Sequence, residues 1–273
     1  MYTKKLKLSL QIFFSVLLCF LLCACQTNHT DVIPSEPFRP TQPTQLKQTP
    51  EQLLENYPID DTHDAFLVNT GGEIGTLLVT VEWDEANTTN EFSALLHFSI
   101  WNPNYMNTPF QTMDADSNCF HRSNVIDINF DGYMDFSYTY AMGNQPYYEY
   151  AWIWDENNRQ FVQEPEFETI SCASFDTETK TIYGFARSSA GGTGLHTFHQ
   201  WIDGKLTCIR RIEIDWIYQD NTILEINTIR MSIQDRIDNE LTEIYYKDYS
   251  LDSLGWLEDI TDWCDLDYHG EPS

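Results

Sequence analysis

Positive charge is scarce in this chain: 15 Lys and Arg stand against 42 Asp and Glu, a formal charge of −27. A surface that acidic repels the phosphates of nucleic acid and the headgroups of anionic lipid, so nucleic acid is excluded as a partner. It suits cationic partners or divalent ions, and it equally serves solubility outside the cell. Long helical periodicity is missing, which excludes a helical bundle. There is no CxxC pair and no Cys/His spacing for zinc. No G-x-S-x-G, H-E-x-x-H or Cys/His nucleophile signature occurs. Gly191-Gly192-Thr193-Gly194 lacks the Lys and the following helix of a phosphate loop and reads as a connection between strands. His196 and His199, three apart on a strand, point to opposite faces and do not share a metal. With 42 acidic residues, close carboxylate pairs arise by chance, so spacing alone picks out no glycosidase acid and base.

Long apolar runs are equally rare, and the one from Leu8 to Leu22 sits at the very start, after Lys4, Lys5 and Lys7. It is short for a membrane span and has the flanks of a secretory signal. Its end, Leu22-Cys23-Ala24-Cys25, resembles the lipobox of bacterial lipoproteins, in which the last Cys is acylated and becomes the new N-terminus. The resemblance implies a signal peptide over residues 1–24, lipidation of Cys25, and attachment to the cell membrane on its extracytoplasmic side. Removing residues 1–24 takes three Lys and no acid, so −27 becomes −30. With that charge the contact with membrane rests on acyl chains, not on a basic patch. Residues 25–50 are rich in Pro, Thr and Gln and read as a flexible tether. Cys119, Cys172, Cys208 and Cys264 remain in the mature chain, either as two disulfides in one of three pairings or as buried thiols.

The rest, 51–273, reads as a single all-β domain. A short helix begins at Thr49-Pro50-Glu51-Gln52, where Thr caps and Pro fits the first turn, and stops before Pro58. Beyond it, apolar residues alternate with period two. Leu77, Val79, Val81 and Trp83 make one face; Phe92, Ala94, Leu96, Phe98 and Ile100 make the next; Ile212, Ile214, Trp216 and Tyr218 make another. Asp203-Gly204 between strand-like segments is a two-residue hairpin signal. Residues 222–233 and 240–249 read as a second hairpin, joined by the polar stretch Gln234 to Asn239. Tyr150, Trp152 and Trp154 alternate on one face, a core pattern rather than a sugar platform. One or two short helices fit the segment from Ser250 to Leu266. Antiparallel strands separated by turn residues imply an irregular propeller-like stack or a sandwich, with short peripheral helices.

Asp127-Ile128-Asn129-Phe130-Asp131-Gly132-Tyr133-Met134-Asp135 places oxygen-bearing side chains at relative positions 1, 3, 5 and 9, with Gly at position 6. Calcium takes six to eight oxygens, and a loop curling around it presents every second residue inwards. Position 12 is Tyr138, where an EF-hand carries Glu, and the flanks are strand-like. The pattern resembles the D-x-[DN]-x-D-G-x-x-D calcium loops of FG-GAP and integrin-type propeller repeats. From Asn118 to Ile214 the chain is similar to bacterial periplasmic or lipid-anchored proteins with a single such loop, some of which are immunity proteins that inhibit a secreted peptidoglycan hydrolase. That resemblance implies calcium held by Asp127, Asn129, Asp131, the Tyr133 carbonyl and Asp135, on a β-propeller-like fold. The ion is structural in this reading, since five protein ligands leave little room for substrate. The expected function is binding or inhibition of a protein at the cell envelope, a cell-wall hydrolase being the partner the resemblance implies. An enzyme acting on wall glycans and a purely structural envelope component are the alternatives.

Overall fold

The structure, a computed structural model, describes residues 48–84, 93–104, 107–119, 121–142, 146–187, 193–218, 226–250, 252–253 and 255–270. Residues 1–24, Cys25, Phe92, Gly191-Gly192 and residues 222–225 lie outside these. The unit Lys47–Ser273 is compact, and its apolar clusters contain no residue before Phe66.

It opens with helix α1 (Pro50–Asn56), started as the sequence implies. Thr49 accepts the Gln52 N–H while the Gln52 side chain accepts the Thr49 N–H, a reciprocal cap, with Pro in the first turn. Three antiparallel sheets follow. The first runs in chain order through β1 (His63–Asn69), β2 (Thr76–Asp84), β3 (Ala94–Trp101) and β4 (Gln111–Ser117). The second contains β5 (His121–Ile126), β6 (Asp135–Met142), β7 (Tyr147–Asp155) and β8 (Gln160–Gln163). A 3-10 turn, Pro165–Thr169, leads to the third, formed by β9 (Ser174–Asp176), β10 (Thr181–Arg187), β11 (Gly194–Ile202), β12 (Lys205–Tyr218), β13 (Ile226–Ile237) and β14 (Glu240–Ser250). Each strand pairs with its neighbour in sequence, so every sheet is a meander and none closes into a barrel among the described residues. Helix α2 (Gly255–Trp263) covers the third sheet. The fold is all-β and sandwich-like.

Alternation places the core. Val68, Leu77, Val79, Val81, Leu96, Phe98 and Ile100 from the first sheet meet Phe136, Tyr138, Trp152, Trp154 and Phe161 from the second. The Phe98 and Trp152 rings lie 4.6 Å apart. Truncating a buried ring of this kind typically costs about 3–5 kcal/mol, which sets the scale of this layer. Tyr150 packs against the same cluster, so the Tyr150-Trp152-Trp154 face is core. The other face of β7, Ala151 and Ile153, joins Ile128, Phe167, Ile182 and Leu206 between the second and third sheets. At Gly184 an added Cβ would lie 2.6 Å from Thr197 Oγ1 and 2.7 Å from Ile170 Cγ2, so only Gly fits where β10 meets that layer. Ile212, Ile214, Met231 and Ile233 turn the opposite way, against Ile260 and Trp263 of α2.

One expectation changes, and one open alternative is decided. The stretch Gln234 to Asn239 is not a linker: β13 continues to Ile237, and the turn is only Asp238-Asn239, at φ +50° and +69°. Asp235 stays in the strand because buried Arg210 grips it, Nε to Oδ1 at 2.6 Å and Nη2 to Oδ2 at 2.8 Å, while Arg210 Nη1 donates to the carbonyls of Trp263 and Asp265. The polar residues thus serve a tertiary ion pair, which periodicity cannot reveal. The four cysteines are all free thiols, half-buried rather than buried. Asp203-Gly204 forms its two-residue turn, both residues at positive φ, between β11 and β12.

Candidate metal loop

The segment from Asp127 to Met134 joins β5 to β6, and Asp135 is the first residue of β6, paired with Ile126. The chain turns sharply here, with Phe130 at φ +58° and Gly132 at φ +96°. What drives the turn is a set of carboxylate and amide oxygens that accept backbone N–H groups ahead of them, the local competition that Asp and Asn offer a ladder. Asp127 Oδ1 accepts the Asp131 N–H at 3.0 Å and its Oδ2 accepts the Gly132 N–H at 2.8 Å. Asn129 Oδ1 accepts the Asp131 N–H at 3.1 Å, and Asp131 Oδ1 accepts the Tyr133 N–H at 2.9 Å. The Asn129 amide donates to Asp131 Oδ2 at 2.8 Å. Positions 1, 3 and 5 are thereby gathered on the outer side of one turn. A carboxylate oxygen has two acceptor directions, so these bonds do not exhaust the oxygens.

Asp135 faces the other way. It is fully buried, its Oδ2 accepts the N–H groups of Ile128 at 2.8 Å and Asn129 at 3.4 Å, and its Oδ1 accepts the Trp154 N–H at 2.8 Å. It therefore ties the base of the loop to β7. Burial pushes its carboxyl up to about 7; the three N–H donors oppose that rise, and the negative charge of Asp131 adds to it. Asp131 is thus near enough for the two charges to be felt, and a cation between them would reverse the sign of the effect. Among the described residues no three His, Cys, Asp or Glu side chains converge as a metal-binding set. The outer donors, two carboxylates and an amide oxygen, are all hard oxygens, the chemistry that suits calcium. Tyr133 donates its backbone N–H to Asp131, while its ring packs on the cluster between the first two sheets.

The third sheet supplies supports that sequence spacing does not show. Trp201 Nε1, on β11, donates to the Ile128 carbonyl at 3.1 Å, and Lys180 Nζ reaches the Phe130 carbonyl at 3.4 Å. Both lie far along the chain from the loop, and a Trp just before a hairpin turn carries no local sign of such a role. His196 and His199 fall on opposite faces of β11: His196 stands opposite Phe185, and His199 opposite Ile182.

No protein-family model matches the chain, and no curated protein matches it. The solved structure of a Xanthomonas protein related to the type IV secretion system is similar over 66% of this chain and 93% of that one, with a TM-score of 0.42 and 13% identity. A likeness that remote carries no argument about function. Among the described residues no helix is long and apolar enough to cross a membrane.

Proposed function

We propose that this is an exported, lipid-anchored envelope protein whose Asp127–Asp135 loop holds one structural calcium ion and whose activity is to bind, and inhibit, a protein partner. The observation that carries the calcium reading is the turn itself: the oxygens of Asp127, Asn129 and Asp131 are assembled on one side by five loop hydrogen bonds. Asp127, Asn129, Asp131 and the Tyr133 carbonyl would hold the ion on the outer side of the turn, with Asp135, the ninth-position carboxylate of the pattern, fixing the loop from its buried side; the ion would neutralise crowded carboxylates and fasten β5 to β6. In this reading the ion is structural, since its protein ligands leave little room for substrate. Calorimetric titration is expected to give a single calcium site that stabilises the fold, with the heat lost in Asp131→Ala. Equal heats and equal melting temperatures for the two proteins would end the calcium reading.

Inhibition of a peptidoglycan hydrolase comes from the sequence resemblance around the loop. It is supported by an acidic surface suited to a cationic partner and by the lack of any catalytic signature. Mixed with peptidoglycan and a panel of wall hydrolases, the protein is expected to suppress lysis by at least one enzyme. Released muropeptides in the absence of any added hydrolase would instead make it an enzyme. For the anchor, wild-type protein is expected in the membrane fraction and Cys25→Ser in the soluble one; acyl labelling that persists in Cys25→Ser would refute the lipobox.

A further inference from the structure

Cations are few in this chain, and several are held by carboxylates. Arg159 meets Glu73, Arg210 meets Asp235, Arg230 meets Asp248 and Lys247 meets Asp259. Lys180 is placed differently. Among the described residues it forms no ion pair, and its Nζ lies 3.4 Å from the Phe130 carbonyl, in the middle of the Asp127–Asp135 loop.

Two local structures bring that ammonium to the loop. Lys180 stands at φ +53° at the end of the turn from β9 to β10. Asp176 fixes this turn: its Oδ1 accepts the Glu178 and Thr179 N–H groups at 2.9 and 3.3 Å, and its Oδ2 accepts the Thr179 hydroxyl at 2.8 Å. On the other side Phe130, at φ +58°, packs its ring on the cluster between the second and third sheets. Both anchors are fixed, and the four-carbon stem between them is flexible. A contact of 3.4 Å to a neutral carbonyl is weak, so the ammonium is held near the loop rather than locked to one atom.

The charges it faces are few. Asp127 and Asp131 lie on the outer side of the turn, while the Asp135 carboxylate is turned inward onto three backbone N–H groups. Two outer carboxylates against one ammonium leave a single net negative charge.

We propose that Lys180 is a tethered counter-ion of the calcium loop, balancing part of its charge before calcium enters and repelling the ion as it does, so that the site is weak. This rests on the calcium reading above and adds what sets the affinity. Ligand charge and site rigidity tune calcium loops, and a set this low in charge belongs with extracellular modules, at about 10⁻⁴–10⁻³ M. A site of that strength fills outside the cell and ignores cytosolic calcium.

Calcium titrated calorimetrically into the full chain and three variants provides the test. In low salt Lys180→Met is expected to bind calcium about fivefold more tightly than wild type, the scale of one screened unit charge acting on a divalent ion, and Lys180→Glu about twentyfold. Lys180→Arg keeps the charge and should keep wild-type affinity. In about 0.5 M salt the gain of Lys180→Met should shrink to about twofold or less. In EDTA Lys180→Met should melt no higher than wild type, so that its advantage appears only with calcium. Lys180 is exposed and each replacement is unbranched at Cβ, so the positive φ is no harder to hold and the fold is not at risk. Equal affinities of wild type and Lys180→Met, a weaker Lys180→Met, a gain that salt does not reduce, or a Lys180→Arg that behaves as Lys180→Met would each overturn the role of Lys180 and leave the calcium loop standing. A wild-type dissociation constant below about 10⁻⁶ M would overturn the weak site. No calcium heat from any of the four proteins would end the calcium reading and this one together.

Discussion

Asp135→Ala is expected to lower the unfolding free energy by about 3–6 kcal/mol in calcium-free buffer, far more than any other change in the loop. The carboxylate accepts three backbone N–H groups, from Ile128, Asn129 and Trp154, in a position with no solvent exposure. A methyl side chain accepts none of them, and each buried donor left without a partner costs about 1–3 kcal/mol. Asp135→Asn keeps one acceptor oxygen but turns an NH2 group towards the remaining donors, so about half the loss is expected. Asp131→Ala, at an exposed position, should stay within about 1 kcal/mol of wild type in the same chelating buffer, because its contacts are open to water. Urea unfolding in EDTA measures all three. An Asp135→Ala protein within about 1 kcal/mol of wild type would show that the three amides find other partners, and would remove Asp135 as the tie between the loop and β7.

The second large effect is acid sensitivity from two histidines, His199 buried and His196 half-buried. Burial lowers His196 and His199 to about 4, against an ordinary value of 6.5. For His199 the fixed charge of Arg236 adds to the lowering, and a hydrogen bond to the Ile182 backbone opposes it. The His199 ring is buried and its Nδ1 has no hydrogen-bond partner, so protonation would place a bare charge between the second and third sheets. Below 6.5 the unfolded chain binds protons that the folded one refuses. The stability these groups contribute is therefore complete above pH 6.5 and is lost as pH falls towards 4, at about 3 kcal/mol for each ring.

Asp135 works in the opposite sense. Its folded value of about 7 lies above the unfolded 3.8, so its charge costs stability above pH 7, and that cost fades as pH falls to 3.8. Without calcium, a net loss of a few kcal/mol, on the order of 2, is expected between pH 6.5 and 4. In Asp135→Asn the compensating group is absent and the loss should steepen to about 6 kcal/mol. Urea midpoints across this range in EDTA give the slopes, and imidazole resonances that titrate near 6.5 in the folded protein would contradict the account.

Much of the fold was legible without coordinates. Period-two alternation marks Leu77-Val79-Val81 and Ala94-Leu96-Phe98-Ile100 because a strand with one buried face must repeat every second residue. Thr49 and Asp203-Gly204 were readable for the same kind of reason: a helix cap and a two-residue turn are decided by backbone groups a few residues apart. The outer loop belongs with them, since Asp127, Asn129 and Asp131 bend the chain through their own neighbours' N–H groups.

What needed the tertiary structure are the pairings between distant segments. That Asp135 turns inward to Trp154, that Trp201 holds Ile128 from another sheet, and that Asp235 remains in a strand because Arg210 reaches it all depend on how three meanders stack. Local composition encodes which face of a strand is apolar. It does not encode which other face that one meets, because many apolar faces are interchangeable until shape and buried polar partners select among them.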